Sequence, residues 1–333
     1  MSSKEVNVNS TYEIRMKEIN CICSNRRFVI LGCILCPLLW GSVFPIVKVG
    51  YSLFDIRSDE ISKAIFFAGL RFLIGGIVAL IFFGFLYKGG IRRELTGLTN
   101  HLDLILLLAF IQTFFQAITF YTGLAHVEGT KASIINGVGT FINVILAHFF
   151  FKNDKLNINK CIGCIIGFCG LVLININTSS GSGMFTFNLN GELMIVLAAI
   201  SFAVASLLTK LMGKGLNPVL LTGIQMLIGS LALIVTGVIM GGTNLKVTFE
   251  GVVCLLFLGF ASAIALVLWF LLLGNNKLSS IAIYNFLIPI FGTVCSLFLL
   301  NEHINILRCF ISLVLVSAGI LLVNINISKK KVQ

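Results

Sequence analysis

Charge is what this chain of 333 residues has least of. Only 11% of its residues are Asp, Glu, Lys or Arg, where a soluble domain carries about 25%. With 57% of residues hydrophobic, too few charges remain to solvate the outside of one water-facing core. That excludes an ordinary cytosolic enzyme and a disordered chain alike. Acidic residues are scarcer still: 13 Asp and Glu stand against 24 Lys and Arg, for a net charge of +11. A basic balance raises nucleic acid as a partner, but cations this sparse line no groove, so none is expected. Clustered Asp/His or Ser/His pairs, which an intramembrane enzyme would need, are absent from the apolar segments. His126 with Glu128, and Glu302 with His303, lie in turns at spacings that fit no zinc pattern. No catalytic centre, metal or cofactor is therefore expected. The first 27 residues hold no apolar run, so they read as a solvated tail and not as a signal peptide.

What the chain does have is long apolar runs. Ten segments reach about the 20 residues that span a bilayer: 28–50, 64–86, 102–124, 131–151, 158–176, 191–212, 219–240, 250–273, 278–300 and 306–326. Barrel strands would show 10-residue alternation instead. The connections are mostly under fifteen residues and leave no room for a soluble domain. If the N-terminus is inside, seventeen Lys and Arg fall on inner segments, among them Arg26, Arg27, Arg92, Arg93 and Lys329 to Lys331. Six (Lys48, Arg57, Lys63, Lys131, Lys246 and Arg308) fall outside. This bias places both termini in the cytoplasm. The CxxC pairs Cys33/Cys36 and Cys161/Cys164 lie in apolar segments, where a thiolate is costly, so they read as small packing residues.

The chain also repeats itself. Gly69-Leu70-Arg71-Phe72-Leu73-Ile74-Gly75-Gly76 is similar to Gly223-Ile224-Gln225-Met226-Leu227-Ile228-Gly229-Ser230. Trp40 and Lys48 match Phe202 and Lys210 at the same spacing, and Gly170 with Asn175 matches Gly319 with Asn324. Five helices per half is an odd number, so the second half enters the membrane from the other side. The expected fold is an all-α membrane protein of ten transmembrane helices in two inverted five-helix repeats, with a cavity near the midplane. Its expected organisation is a cytoplasmic tail (1–27), a first repeat (28–176), an outer linker (177–190), a second repeat (191–326) and a basic tail (327–333).

Trp40-Gly41-Ser42-Val43-Phe44-Pro45-Ile46-Val47-Lys48 resembles the first-helix motif of the EamA-like branch of the drug/metabolite transporter superfamily. Arg71-Phe72, Phe120-Tyr121-Thr122-Gly123-Leu124 and Phe298-Leu299-Leu300-Asn301-Glu302 resemble its second-helix pair, third-helix end and last acidic turn. The resemblance spans roughly 28–326 and implies transport, often export, of amino acids or other small metabolites across the cell membrane. Two positions depart from the family pattern. Thr140-Phe141 stands where the fourth helix usually carries a proline, although Pro289 is present in the ninth, and Asp154 stands where Glu is commoner.

The candidate substrate-binding residues are polar or aromatic side chains in the spans: Trp40, Arg71, Gln112, Gln116, Tyr121, Asn136, Asn143, Gln225, Trp269, Tyr284 and Asn285. Polar groups facing lipid are costly, so these face either a neighbouring helix or a wet cavity. Trp40, Tyr121 and Trp269 also suit an interfacial belt. Arg71, the deepest full charge, lies about 10 Å below the outer end at ~1.5 Å per residue, so it either snorkels back or holds a carboxylate or phosphate in the cavity. Lys48, Asp154, Lys210 and Glu302 are candidate gate or structural charges; the two lysines suit helix C-terminal dipoles or substrate attraction. No Asp or Glu lies deep in a span, which disfavours a buried carboxylate proton switch. The expected partners are a small-molecule substrate and the lipid bilayer, in a plasma or inner membrane. Amino acids or related zwitterions are the expected cargo. The alternatives are a phosphorylated or nucleotide-linked metabolite, which asks for two cavity cations, or a non-transporting sensor or assembly factor.

Overall fold

A computed structural model describes residues 21–22, 24–86, 94, 101–127, 129–175, 189–212, 216–300 and 306–324. The N-terminal tail to residue 20, most of the linker, the basic C-terminal tail, Glu128 and the turn with Glu302 and His303 lie outside the described residues. Among the described residues, ten helical segments follow one another. They are α1 (Arg26–Leu53), α2 (Ile61–Leu86), α3 (Leu102–His126), α4 (Gly129–Asn136 and Val138–Phe150) and α5 (Ile158–Asn175). Then come α6 (Leu189–Met212), α7 (Pro218–Ile239), α8 (Phe249–Asn275), α9 (Leu278–Ala282, Ile283–Phe286 and Leu287–Leu300) and α10 (Ile306–Asn324). By length and composition, seven are long and apolar enough to cross a membrane, while α4, α5 and α10 carry shorter apolar stretches.

Local chemistry sets several helix starts. Asn217 caps α7, its Oδ1 accepting the Val219 and Leu220 N–H at 2.9 and 3.4 Å, with Pro218 at the first helical position, where its missing N–H costs nothing. Thr248 caps α8 by accepting the Gly251 N–H at 3.1 Å. The helices are apolar outside and polar inside. Phe85, Phe149, Ile158, Ile239 and Phe249 are exposed, whereas Arg71, Gln112, Asn143, Gln225 and Asn285 are buried. This reverses the water-soluble pattern and suits a hydrocarbon surround.

The main packing pairs join a helix of the first five to one of the last five: α2 with α7, α5 with α10, α1 with α8 and α9, α6 with α3 and α4, α2 with α8, and α7 with α3. Adding five to each helix number, with α1 following α10, maps this set of pairs onto itself. Glycines allow the closest approaches, which matter in lipid because helix association there rests on contact and not on water exclusion. A Cβ on Gly41 of α1 would meet the Ile288 carbonyl of α9 at 2.6 Å, and one on Gly163 of α5 would meet the Gly319 carbonyl of α10 at 2.7 Å.

Three helices are irregular near mid-length. A π-turn runs through Ala109–Phe115 of α3. Gly137 separates the two pieces of α4, and a 3-10 turn, Ile283–Phe286, interrupts α9. The continuous span expected over 131–151 is thus broken despite lacking a proline. Asn136 ends the first piece of α4 and Asn285 sits in the α9 turn, each seven residues from its helix start. Interrupted helices at matching places in two halves mark where membrane transport folds place polar ligands.

Candidate functional site

A cavity of about 830 Å³, counting its open mouth, lies at these irregularities. Its walls come from seven helices: Trp40, Val43 and Phe44 of α1; Arg71 and Phe72 of α2; Gln112, Gln116, Phe120 and Tyr121 of α3; Asn136, Gly139 and Thr140 of α4; Ala199 and Phe202 of α6; Ser262 and Leu266 of α8; and Asn285 and Ile288 of α9. These residues fall near the middle of their helices, so the cavity sits at mid-height of the bundle.

Arg71 is its centre of charge. The helix starts at Ile61, so Arg71 is ten residues, or ~15 Å, inside. It is only 4% exposed. Its Nε donates to Ser262 Oγ at 2.9 Å, its Nη1 donates to the Tyr121 hydroxyl at 2.7 Å, and its guanidinium lies 5.1 Å from the Phe72 ring centre. Two of the five guanidinium N–H donors are used, which leaves three. No carboxylate among the described residues pairs with it. Gln112 Oε1, Thr140 Oγ1 and Asn285 Oδ1, all on cavity-lining residues, are buried without a hydrogen-bond partner. The cavity thus offers spare donors at Arg71 and spare acceptors from α3, α4 and α9.

Aromatic rings complete the wall. Trp40 meets Phe202 and Trp269 edge-on, with centroids 5.1 and 5.2 Å away, and Phe44 meets Phe120 at 5.2 Å. Trp269 itself lies behind this layer, fully buried, with its indole N–H donating to Ser206 Oγ at 3.1 Å.

Seven of the eleven binding candidates therefore line one cavity: Trp40, Arg71, Gln112, Gln116, Tyr121, Asn136 and Asn285. Trp269, Asn143, Gln225 and Tyr284 do not line it. Asn143 is fully buried and neither its Nδ2 nor its Oδ1 has a partner. Gln225 accepts from Thr113 Oγ1 at 2.8 Å, and Tyr284 is half-buried at the seam of two apolar clusters. Sequence reasoning missed Ser262, Phe44, Phe72 and Phe202 as wall residues. A lone serine in an apolar run reads as a small packing residue. The signal for Ser262 was the repeat: Thr113 and Ser262 each stand thirteen residues before the end of their helix, α3 and α8, and they serve Gln225 and Arg71 respectively.

The gate candidates lie at the two ends. On the face where α1 starts, Asp154 in the α4–α5 turn accepts from Lys160 Nζ at 2.6 Å, from the Ser279 N–H at 3.0 Å and from the Ser279 hydroxyl. It thereby ties the first half of the chain to the start of α9. Burial raises the Asp154 carboxyl, but the Lys160 and Ser279 hydrogen bonds outweigh it and hold the pKa below the usual value. On the same face, Lys210 Nζ donates to the Leu273 and Asn276 carbonyls, each at 2.6 Å. On the opposite face, Lys48 borders a recess of about 700 Å³, counting its mouth, with Tyr51, Ser58, Leu124, Ala125, His126 and Val127. Nearby in the chain, Glu60 pairs with Lys63 at 2.7 Å and accepts the Arg57 N–H at 3.0 Å; these contacts hold its carboxyl down to about 2.

Residues 27–176 and 189–325 match the EamA-like transporter family, once in each half. The chain is similar to the uncharacterized transporter YoaV of Bacillus subtilis, at 27% identity over 91% of this chain and 99% of that one. It is also similar to a chloroplastic WAT1-related protein of Arabidopsis thaliana, at 28% identity over 80% of this chain and 62% of that one. One crystal structure of a protein shares the fold with a TM-score of 0.71, covering 92% of this chain and all of the other at 15% identity.

Proposed function

Because the chain belongs to the EamA-like transporter family, we propose that it exports small carboxylate-bearing metabolites, amino acids or related zwitterions, across the cell membrane. In this reading residues 28–176 and 191–326 are inverted repeats with both termini in the cytoplasm. Rocking of one repeat against the other exposes the midplane cavity to each side in turn. The pairing of helices across the halves, which maps onto itself when five is added, is the packing such a repeat would produce.

One observation carries the substrate class: a buried arginine at mid-height, with no carboxylate partner and three N–H donors unused among the described residues. A guanidinium out of water is costly until an anion meets it, and its planar fork matches a carboxylate. The unpaired oxygens of Gln112, Thr140 and Asn285 would receive an ammonium or other donor, and Trp40, Phe44, Phe120 and Phe202 would cover the apolar body. A phosphorylated substrate would ask for a second cation, and Arg71 is the one cation among the described lining residues. No described Asp or Glu lines the cavity, so the substrate's own gradient is the simplest driving force. Export is the direction that the family resemblance implies.

The test is purified full-length protein in liposomes with a panel of labelled amino acids, their decarboxylated amines and sugar phosphates, with and without a pH gradient. Counterflow of zwitterions but not of the amines is expected. If no solute moved under either condition, the transport reading would fail.

A further inference from the structure

Lys48 and Lys210 hold equivalent places in the two halves, yet the structure treats them differently. Lys210, near the C-terminal end of α6, donates at 2.6 Å to the carbonyls of Leu273 and Asn276 at the end of α8. These acceptors stand five and two residues before α9 begins at Leu278. The corresponding residues before α4, which begins at Gly129, are Leu124 and Val127. Both line the recess that Lys48 borders. Even the caps match, with the Val127 N–H on the Gly123 carbonyl and the Asn276 N–H on the Leu272 carbonyl. Lys48 makes no hydrogen bond or ion pair among the described residues, and Glu60, at the start of α2, is engaged with Lys63 and Arg57.

We propose that Lys48 and Lys210 are paired gate latches that close in alternation. Lys210 on the end of α8 holds one face shut, and Lys48 on the end of α3 holds the opposite face shut in the other state. The last carbonyls of a helix lack intrahelical partners and carry its partial negative charge, so each helix end is a ready acceptor for an ammonium. An open recess lets water satisfy the free lysine, whereas closure removes that water and makes the carbonyl contacts necessary. In this structure the Lys210 latch is closed and the Lys48 latch is open. The Asp154–Ser279 contact reinforces the closed face. The proposal rests on the alternating-access reading, and it adds to the rocking of the repeats a movement inside each one, of α6 against α8 and of α1 against α3.

Hydrogen exchange on the full-length protein in lipid nanodiscs, without substrate, tests it. Lys210→Met should speed exchange across 274–283 by about tenfold, the loss of a charge-assisted hydrogen bond, and should slow exchange across 123–130 as the opposite face closes. Lys210→Arg, which keeps the donors, should restore both regions. Adding Lys48→Met to Lys210→Met should abolish the slowing at 123–130. Acceleration confined to 274–283 would make Lys210 a local anchor and overturn the proposal. A Lys48→Met change that alters only the apparent KM of transport, with exchange in the double variant still slowed, would make Lys48 a substrate attractor and overturn it as well. If liposomes moved no solute while the two regions still exchanged reciprocally, the transport reading would fall and the latch would stand.

Discussion

Arg71→Gln separates a substrate ligand from a structural anchor, because only the anchor role predicts a large loss of stability. Losing the charged partner of a buried carboxylate costs about 2–5 kcal/mol of binding. At ~1.4 kcal/mol per decade, transport of zwitterions at low concentration should fall roughly 30- to 3000-fold. The fold loses two hydrogen bonds, to Ser262 and Tyr121, each worth about 1.5–3 kcal/mol when the donor is charged. It also sheds the desolvation penalty of a buried cation that no carboxylate among the described residues offsets, which is about several kcal/mol. The two stability terms are of similar size and opposite sign, so the melting temperature should hold. Glutamine is the residue that the second half carries at the matching position, where Gln225 meets Thr113, so the side chain fits that kind of contact. Liposome counterflow of an amino acid beside its amide, together with thermal unfolding in detergent, reads both quantities. Loss for the amino acid alone, at unchanged stability, is the expected result. A large drop in melting temperature with equal loss for both solutes, or unchanged transport in a folded variant, would refute the assignment.

Three further outcomes follow from single contacts. Tyr121→Phe keeps the ring but removes the hydroxyl that accepts from Arg71 at 2.7 Å; counterflow should fall about tenfold and the unfolding temperature should drop, by the loss of about 1.5–3 kcal/mol. Asp154→Asn leaves Lys160 buried without its carboxylate and should cost about 3–5 kcal/mol, read as a lower melting temperature. The folded Asp154 carboxyl is held low, so its stabilisation is complete above the unfolded value of ~3.9 and is lost as pH falls through the lower folded value. Wild type should therefore lose melting temperature in acid, while Asp154→Asn loses less over the same range. Gly41→Leu forces side-chain atoms against the Ile288 backbone and should destabilise the α1–α9 contact by about 1–3 kcal/mol or block folding, whereas Gly84→Leu, with open space at its Cβ, should be neutral in the same unfolding assay.

How much of this was legible in the sequence depends on which pattern carried it. The helices were legible, because long apolar runs leave a bilayer-sized mark that needs no tertiary knowledge. The polar face of α3 was legible too: Gln112, Gln116 and Phe120 all reach the cavity, although a π-turn intervenes. The break in α4 was not anticipated, since its proline is missing, although polar residues interrupt the 131–151 segment; Asn136-Gly137, a turn-favouring pair, was the available signal. The partners of Arg71 could not be read locally, because Ser262 lies 191 residues away. They could be read from the repeat, which makes Thr113–Gln225 and Ser262–Arg71 the same contact seen twice. That equivalence has a consequence for function. One copy of the contact is satisfied by a neutral amide, so the packing of α2 on α8 does not require a cation at position 71. The hydroxyl of Tyr121 has Phe270 as its counterpart five residues before the end of α8, so the second half also does without that acceptor. A symmetric scaffold explains what the two halves share. On the proposed reading, the differences at the buried, cavity-lining Arg71 and Tyr121 answer to what the cavity holds, and they meet at a distance of 2.7 Å.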